Sequence, residues 1–250
     1  MNERLQIISL HVDHTGFNKS LDTVMGLAEK RQPAYVCFAN VHMTIEAYRN
    51  KIFLDQVQNA DLVLADGKPI AVACKILHHK KQERIAGMDF MPRLLELANE
   101  KRMRVFFYGS TPEVLKTLKQ KINQLYPTII HAGYISPSFG VQKEDELVKD
   151  IDQINDSGAQ IVFVSLGCPK QEKWMAANSK KINAVLLGIG AALPVMAGIH
   201  KRAPVWMQKL ALEWFYRLMQ QPGRLFKRYL FTNSMFIFLL TGQGVKKLLK

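Results

Sequence analysis

Two short strings in this sequence set reactive side chains beside glycine or proline, and a third is a glycine pair that could approach a ligand closely. In Leu62-Val63-Leu64-Ala65-Asp66-Gly67 an apolar run delivers one carboxylate, and the glycine after it permits a tight turn. A carboxylate held at such a rim, partly shielded from water, gains proton affinity and can work as a general base. An Asp in that place can equally cap the helix that follows, and the string alone leaves both roles open. In Gly167-Cys168-Pro169-Lys170-Gln171-Glu172, backbone N–H groups at a helix start beside Lys170 suit a phosphate or a sugar hydroxyl. Gln171 both donates and accepts there. Cys168 has no histidine near it in sequence and reads as a small buried thiol rather than a nucleophile. In Gly188-Ile189-Gly190-Ala191-Ala192-Leu193, Leu193 stands where a dinucleotide fingerprint needs its third glycine, so close backbone packing is the better reading.

Other strings predict less chemistry. No G-x-x-x-x-G-K-[ST] phosphate loop occurs. His11-x-Asp13-His14 lacks a third ligand and reads as polar edge residues. Asp150-Ile151-Asp152 has a metal-binding form but falls in a charged helical stretch, where a solvated face is expected. The residues therefore predict no metal site and no resident cofactor.

These strings need elements to hold them. Apolar runs rich in β-branched and aromatic residues lie at 5–12, 35–39, 62–65, 105–108, 128–131, 161–166 and 184–187. Segments of helical spacing alternate with them at 19–31, 41–57, 68–78, 89–102, 112–125, 142–155 and 169–180. That cadence predicts an α/β fold, a Rossmann-like and largely parallel sheet with helices on both faces. In such sheets ligands bind at the carboxyl ends of the strands, where Asp66, Gly167 and Gly188 fall. Ser110-Thr111-Pro112-Glu113 adds a cap residue, a proline and an acid at a predicted helix start.

Composition separates the two ends of the chain. Of 250 residues 48% are hydrophobic and 22% charged, which excludes a disordered protein. Thirty-four Lys and Arg against 21 Asp and Glu give a net charge of +13, and residues 195–250 hold ten basic residues against one acid, Glu213. A nearly neutral body, 1–194, thus precedes a cationic and aromatic appendage, 195–250, whose partner should be anionic. Within it 203–220 predicts one amphipathic helix with Trp206, Leu210, Trp214 and Leu218 on a single face. Pro222-Gly223 breaks that helix, and 224–240 is helical again. The uncharged stretches 184–199 and 229–245 fall short of the ~20 strongly apolar residues a membrane span needs. Cations beside amphipathic aromatics suit an anionic membrane surface, and arginine forks suit a diphosphate. The same composition could hold single-stranded nucleic acid, but the greasy continuation 231–240 argues for lipid and no nucleic-acid partner is expected. Three cysteines without C-x-x-C suit a reducing compartment, and the N-terminus does not read as a signal peptide.

Taken together the strings resemble the WecG/TagA/CpsF family of bacterial glycosyltransferases. The resemblance rests on Asn40, Ala65-Asp66-Gly67, Arg84-x-x-Gly87-x-Asp89, Gly167-x-Pro169-Lys170-Gln171-Glu172 and Gly188-x-Gly190. Further on it rests on Gly198, Arg202-Ala203-Pro204, Glu213-Trp214-x-x-Arg217-Leu218 and Pro222-x-Arg224. It implies a metal-independent, inverting enzyme, peripheral on the cytoplasmic face of the bacterial cell membrane. Such an enzyme moves an N-acetylmannosamine-type sugar, or its uronic acid, from UDP to a sugar on a polyprenyl diphosphate. It implies Asp66 as general base with Arg84 and Gln171 in the catalytic pocket. Asn40, Gly67, Asp89, Gly109, Gly167, Lys170, Glu172, Gly188 and Gly190 would bind substrate, while Arg202, Arg217, Arg224 and Arg228 would meet the diphosphate or the membrane. Phe38 departs from the Thr that some members carry two residues before the Asn, which bears on sugar identity. The appendage is then expected to be a lid that completes the site at the membrane, and its apolar surface to favour self-association. The rival expectation is a non-catalytic binder of anionic lipid or nucleic acid.

Overall fold

The structure, a computed structural model, describes residues 3–248 apart from 139, 141 and 211, and the side chains of Lys209, Arg224 and Leu248 also lie outside the description. Six strands form one all-parallel sheet: β3 (Ala34–Ala39), β4 (Leu62–Ala65), β5 (Arg104–Gly109), β6 (Ile130–Ile135), β7 (Ile161–Ser165) and β8 (Val185–Gly188), in the order β4-β3-β8-β7-β5-β6. Their side chains alternate between two apolar layers, as period-2 geometry requires. Ala34, Val36 and Phe38 of β3 enter one layer, together with α1 (Phe17–Glu29), α5 (Gly87–Glu100), α6 (Pro112–Leu125) and α9 (Ala192–Met196). Tyr35, Cys37 and Ala39 enter the other, with α2 (Val41–Arg49), α3 (Lys51–Gln58), α4 (Lys68–His78), α7 (Glu144–Asp156) and α8 (Lys170–Asn178). A sheet buried on both faces explains strands that read as continuous apolar runs.

Several predicted elements are cut differently. The run 5–12 is a hairpin of β1 (Arg4–Ile7) and β2 (Leu10–Asp13), because Ile8 takes a positive φ of 59° and the chain reverses. The stretch 41–57 is two helices, since the Asn50 side chain accepts from Phe53 N at 3.0 Å and starts α3 afresh. The strand expected at 128–131 lies at 130–135, on the edge of the sheet. The single amphipathic helix expected at 203–220 is α10 (Val205–Lys209) followed by α11 (Glu213–Gln220). The break expected at Pro222-Gly223 falls one residue earlier, and Pro222 opens α12 (Pro222–Leu248), a position where its missing N–H costs nothing.

Helix α12 packs across α2 and α4, the two helices that follow β3 and β4. It buries Leu225, Thr232 and Phe236, and Phe236 joins the second core layer. At its far end Gln243 accepts from Ile8 N at 2.7 Å, and Lys247 donates to Leu77 O at 2.9 Å. Among the described residues no helix is long and apolar enough to cross a membrane.

Candidate active site

The parallel pairing of β3 with β4 sets Ala39 opposite Ala65, so the next residues, Asn40 and Asp66, emerge side by side at the carboxyl edge. Asp66 N donates to Ala39 O at 2.8 Å, and the Asn40 side chain hydrogen-bonds the Asp66 carboxylate. Asn40 also caps α2 by accepting from Met43 N at 3.1 Å, which fixes its orientation. The N-cap of α4 is Gly67, at φ 96°, and among the described residues no side chain completes that cap. The carboxylate keeps some contact with solvent, yet the protein packed round it raises its pKa from the usual carboxylate range to about 7. Burial is the largest cause. Arg84 opposes it, Glu213 adds to it, and Arg217 and the Asn40 bond oppose it. A carboxylate with this affinity is matched to taking a proton near neutrality.

Arg84 reaches the site because Ile85 N donates to Ala65 O at 2.8 Å, laying the segment after α4 along the strand end. Its guanidinium is held at both terminal nitrogens. Nη1 donates to Glu213 at 2.7 Å and Nη2 to Asp89 at 2.6 Å. Arg202 donates to the other oxygen of Asp89 at 2.5 Å and lies 3.7 Å from Glu213. Two guanidiniums and two carboxylates thus close a charge-balanced ring between the strand-end residues and the C-terminal helices. Each side chain is about a quarter to a third exposed, so the ring is only partly desolvated and its members reinforce one another. Arg84, Asp89 and Arg202 accordingly act here on each other, clasping α10 and α11 over Asp66.

The glycine strings are brought together two strands away, and much of their role is packing. Gln171 is buried: its amide donates to Gly188 O and to Glu172, both at 2.8 Å, and its carbonyl accepts from Gly167 N at 3.1 Å. The Gly167 N–H is therefore taken by protein. A Cβ at Gly188 would stand 2.6 Å from Met175 and 3.0 Å from Gln171. One at Gly109, where φ is 104°, would stand 2.5 Å from Ser165 O, which makes this glycine obligatory where β5 meets β7. Gly190, at φ 47°, accepts from Ser165 Oγ at 2.8 Å. Of these four glycines, Gly167, at φ 78°, is the one that faces open space. Glu172 has no solvent exposure. Burial lifts its carboxyl to about 7, bonds from Gln171 and the Cys168 thiol lower it, and one of its oxygens has no partner. The Cys168 thiol is pushed well above its ordinary value by burial and by Glu172, so it is not an activated nucleophile.

The remaining predicted residues fall in two places. Lys170 is exposed on the first turn of α8. Arg217 lies on α11 one turn after Glu213, within electrostatic reach of Asp66, and Arg228 on α12 lies beside His42. Neither makes an ion pair among the described residues, and the Arg228 Nε is buried without a partner. The Arg224 side chain lies outside the described residues. Asp150 is held by the Tyr108 hydroxyl at 2.9 Å and by Gln142 at 2.5 Å. Asp13 is a structural acceptor for Val63 N at 2.7 Å and for Arg4 at 3.3 Å. Among the described residues no group of three His, Cys, Asp or Glu side chains is placed to share a metal ion.

Two residues were not predicted. Glu213, the appendage's one acid, closes the ring with Arg84; its solitary sign in a basic segment was the available signal. His42, on the first turn of α2, bonds the Cys168 carbonyl and lies near Arg228, and its Nδ1 is buried without a hydrogen bond. Burial and Arg228 lower its pKa, keeping the ring neutral.

Comparisons with known proteins show what the chain is similar to. The profile described as "Glycosyl transferase WecG/TagA/CpsF family" matches residues 5–249. The chain is 35% identical over 216 residues to the N-acetylglucosaminyldiphosphoundecaprenol N-acetyl-beta-D-mannosaminyltransferase of Bacillus subtilis, covering 86% of this chain and 82% of that one. A protein of the same description from Bacillus spizizenii is 34% identical over 211 residues, 84% of this chain and 79% of that one. One from Staphylococcus aureus is 28% identical over 228 residues, 89% and 87% respectively.

Proposed function

The chain belongs to the WecG/TagA/CpsF family of glycosyl transferases, and from that premise we propose which transfer it performs. The donor is a UDP-sugar, with N-acetylmannosamine or its uronic acid as the sugar. The acceptor is a sugar carried on a polyprenyl diphosphate, and the product enters cell-surface polysaccharide. The observation that carries this reading is Asp66: a carboxylate at the sheet's carboxyl edge, bonded to Asn40, with a pKa raised to about 7 and the C-terminal helices clasped beside it.

In the proposed step Asp66 takes the proton of the acceptor hydroxyl as that oxygen bonds to the anomeric carbon of the donor. The bond from that carbon to the UDP oxygen breaks on the opposite face, and its electron pair leaves with the diphosphate. One base and one face of attack give inversion. Arg217 and Arg228, free of ion pairs among the described residues, supply positive charge to the leaving or carrier diphosphate without a metal. Residues 195–250 act as the lid over the 1–194 body. The same segment meets an anionic bilayer at the cytoplasmic face, where exposed Trp206, Trp214, Phe215 and Phe226 sit among its cations.

UDP release from a panel of UDP-sugars, in chelator, with a polyprenyl-diphosphate-N-acetylglucosamine analogue tests the reading. Acceptor-dependent release by the wild type, lost in Asp66→Ala, is the expected result. No release from any donor, together with no binding of UDP, would overturn it in favour of a protein that only binds anionic lipid.

A further inference from the structure

Three separate parts of the fold meet at the His42 ring. His42 lies on the first turn of α2, two residues after the Asn40 that bonds Asp66. Its ring bonds the carbonyl of Cys168, in the turn from β7 to α8. In the sheet β8 lies between β3 and β7, so this bond bridges the end of one whole strand. The third part is α12, which brings the charge of Arg228 to the ring.

The bonding fixes the tautomer. Nδ1 is buried without a hydrogen bond, so the bond to Cys168 is made by Nε2, and a carbonyl oxygen can only accept. Nε2 therefore carries the proton, and Nδ1 presents a lone pair. The Arg228 Nε–H is buried and likewise has no partner. An acceptor and a donor left over at one junction are complementary. The other charged group at the ring is Glu46, one turn along α2, whose carboxylate stands 3.9 Å from Nδ1. A carboxylate only accepts, so it cannot satisfy the lone pair of a neutral ring. Behind Cys168 stands Glu172, which takes the thiol's hydrogen bond and leaves the carbonyl to His42.

Arg84 and Arg202 show the other way to hold a guanidinium: carboxylates fix each of them and cancel its charge. Arg228 instead lies 5.3 Å from the centre of the Tyr229 ring. An aromatic face and a neutral imidazole both orient a guanidinium without neutralising it. We propose that His42 is a positioning residue: through Nε2 it fixes the β7–α8 turn, and through Nδ1 it takes the Arg228 Nε–H, so that Arg228 is aimed with its charge intact. This rests on the transfer proposed above, in which Arg228 supplies positive charge. A proton on Nδ1 would undo the arrangement, because that N–H turns to Glu46 and the charged ring repels Arg228.

His42→Gln separates the two bonds. The Gln amide N–H takes the place of Nε2, and nothing replaces the Nδ1 lone pair. Transfer is measured at a pH above the Asp66 value of about 7, where the base is ionised. There kcat should fall about tenfold, the worth of one hydrogen bond to a charged group, with donor KM unchanged. In the double variant with Arg228→Ala, kcat should be no lower than in Arg228→Ala alone, since His42 acts through Arg228. A merely structural role predicts losses that multiply, and that result, or full kcat in His42→Gln, would overturn the proposal. Nitrogen NMR of the ring, identified by the signals lost in His42→Gln, gives a readout independent of turnover. It should show a protonated Nε2 and a hydrogen-bonded Nδ1, and Arg228→Ala should shift Nδ1 and raise the pH at which the ring titrates. These signals support the contact even if no acceptor is glycosylated. A proton on Nδ1 at that pH, or an Nδ1 signal that Arg228→Ala leaves unmoved, refutes it.

Discussion

Arg84 and Glu213 are 129 residues apart in sequence and 2.7 Å apart in space, and both act electrostatically on Asp66, in opposite senses. Arg84 favours the ionised base and Glu213 disfavours it. Since Glu213 belongs to α11, docking that helix both neutralises the nearest cation and shields the carboxylate from water. The base is therefore set by the docked arrangement rather than by β4 alone.

The pH dependence follows from that relationship. A general base must be ionised, so kcat/KM should rise with pH through about 7, the Asp66 value. Glu213→Gln removes a charge that opposes ionisation and releases Arg84, which favours it, so the acidic limb should move to lower pH. Docking is weakened as well, and kcat/KM on the plateau should fall roughly tenfold, the factor that ~1.4 kcal/mol of lost closure gives. A pH–rate profile of both proteins checks the two effects, and an unmoved limb would contradict the coupling.

Asp66→Asn keeps the shape and the Asn40 contact but not the base. Transfer should fall by about 10²–10⁴-fold with donor binding retained. Equilibrium binding of the UDP-sugar, set beside single-turnover transfer, separates the two.

Stability should carry its own pH signature through Glu172. Its pKa is raised in the fold, so its stabilising contribution is full below the ordinary carboxylate value and is lost as pH rises through about 7. Asp66 acts in the same sense. Denaturant midpoints should therefore decline from about pH 5 to 8. Glu172→Gln, which keeps an acceptor for Gln171 and carries no buried charge, should flatten much of that decline, with an effect on the order of 2 kcal/mol at pH 8. It should not move the acidic limb of activity, because Glu172 faces the core.

Glycines that look alike in sequence should respond differently. Gly109→Ala meets both a φ of 104° and a backbone oxygen at 2.5 Å, and should cost at least about 2 kcal/mol of stability. Gly167→Ala meets only the positive φ, with open space beyond, and should cost about 1 kcal/mol. Thermal unfolding of the two variants checks the order.

The alternation of apolar runs and helical segments was legible because a doubly covered parallel sheet needs it at every strand. The same rule placed Asp66 and the glycine strings at the carboxyl edge. Helix divisions were not legible where one side chain decides them: Asn50 ends one helix by capping the next, and Ile8 reverses a strand that reads as unbroken. For the site, residue type announced a base but not its partners. The resemblance sets Arg84 in the pocket and Arg202 at the diphosphate or the membrane; the structure pairs both with Asp89 and Glu213, and sequence spacing carries no trace of the Arg84–Glu213 pair, 129 residues apart. That Glu172 has no solvent exposure, while its neighbour Gln171 spans the gap to Gly188, is likewise not written in the string.

The mooring of α12 at Gln243 and Lys247 has a mechanical consequence. With its distal end pinned to the hairpin and to α4, the helix is a beam hinged far from the chemistry, and Arg228 lies about 22 Å from that hinge. On a beam of that length, about 10° of tilt carries the guanidinium about 4 Å. Such a tilt would have to lift Leu225, Thr232 and Phe236 out of their buried contacts, so the packing of α12 on α2 and α4 fixes the separation between Arg228 and His42.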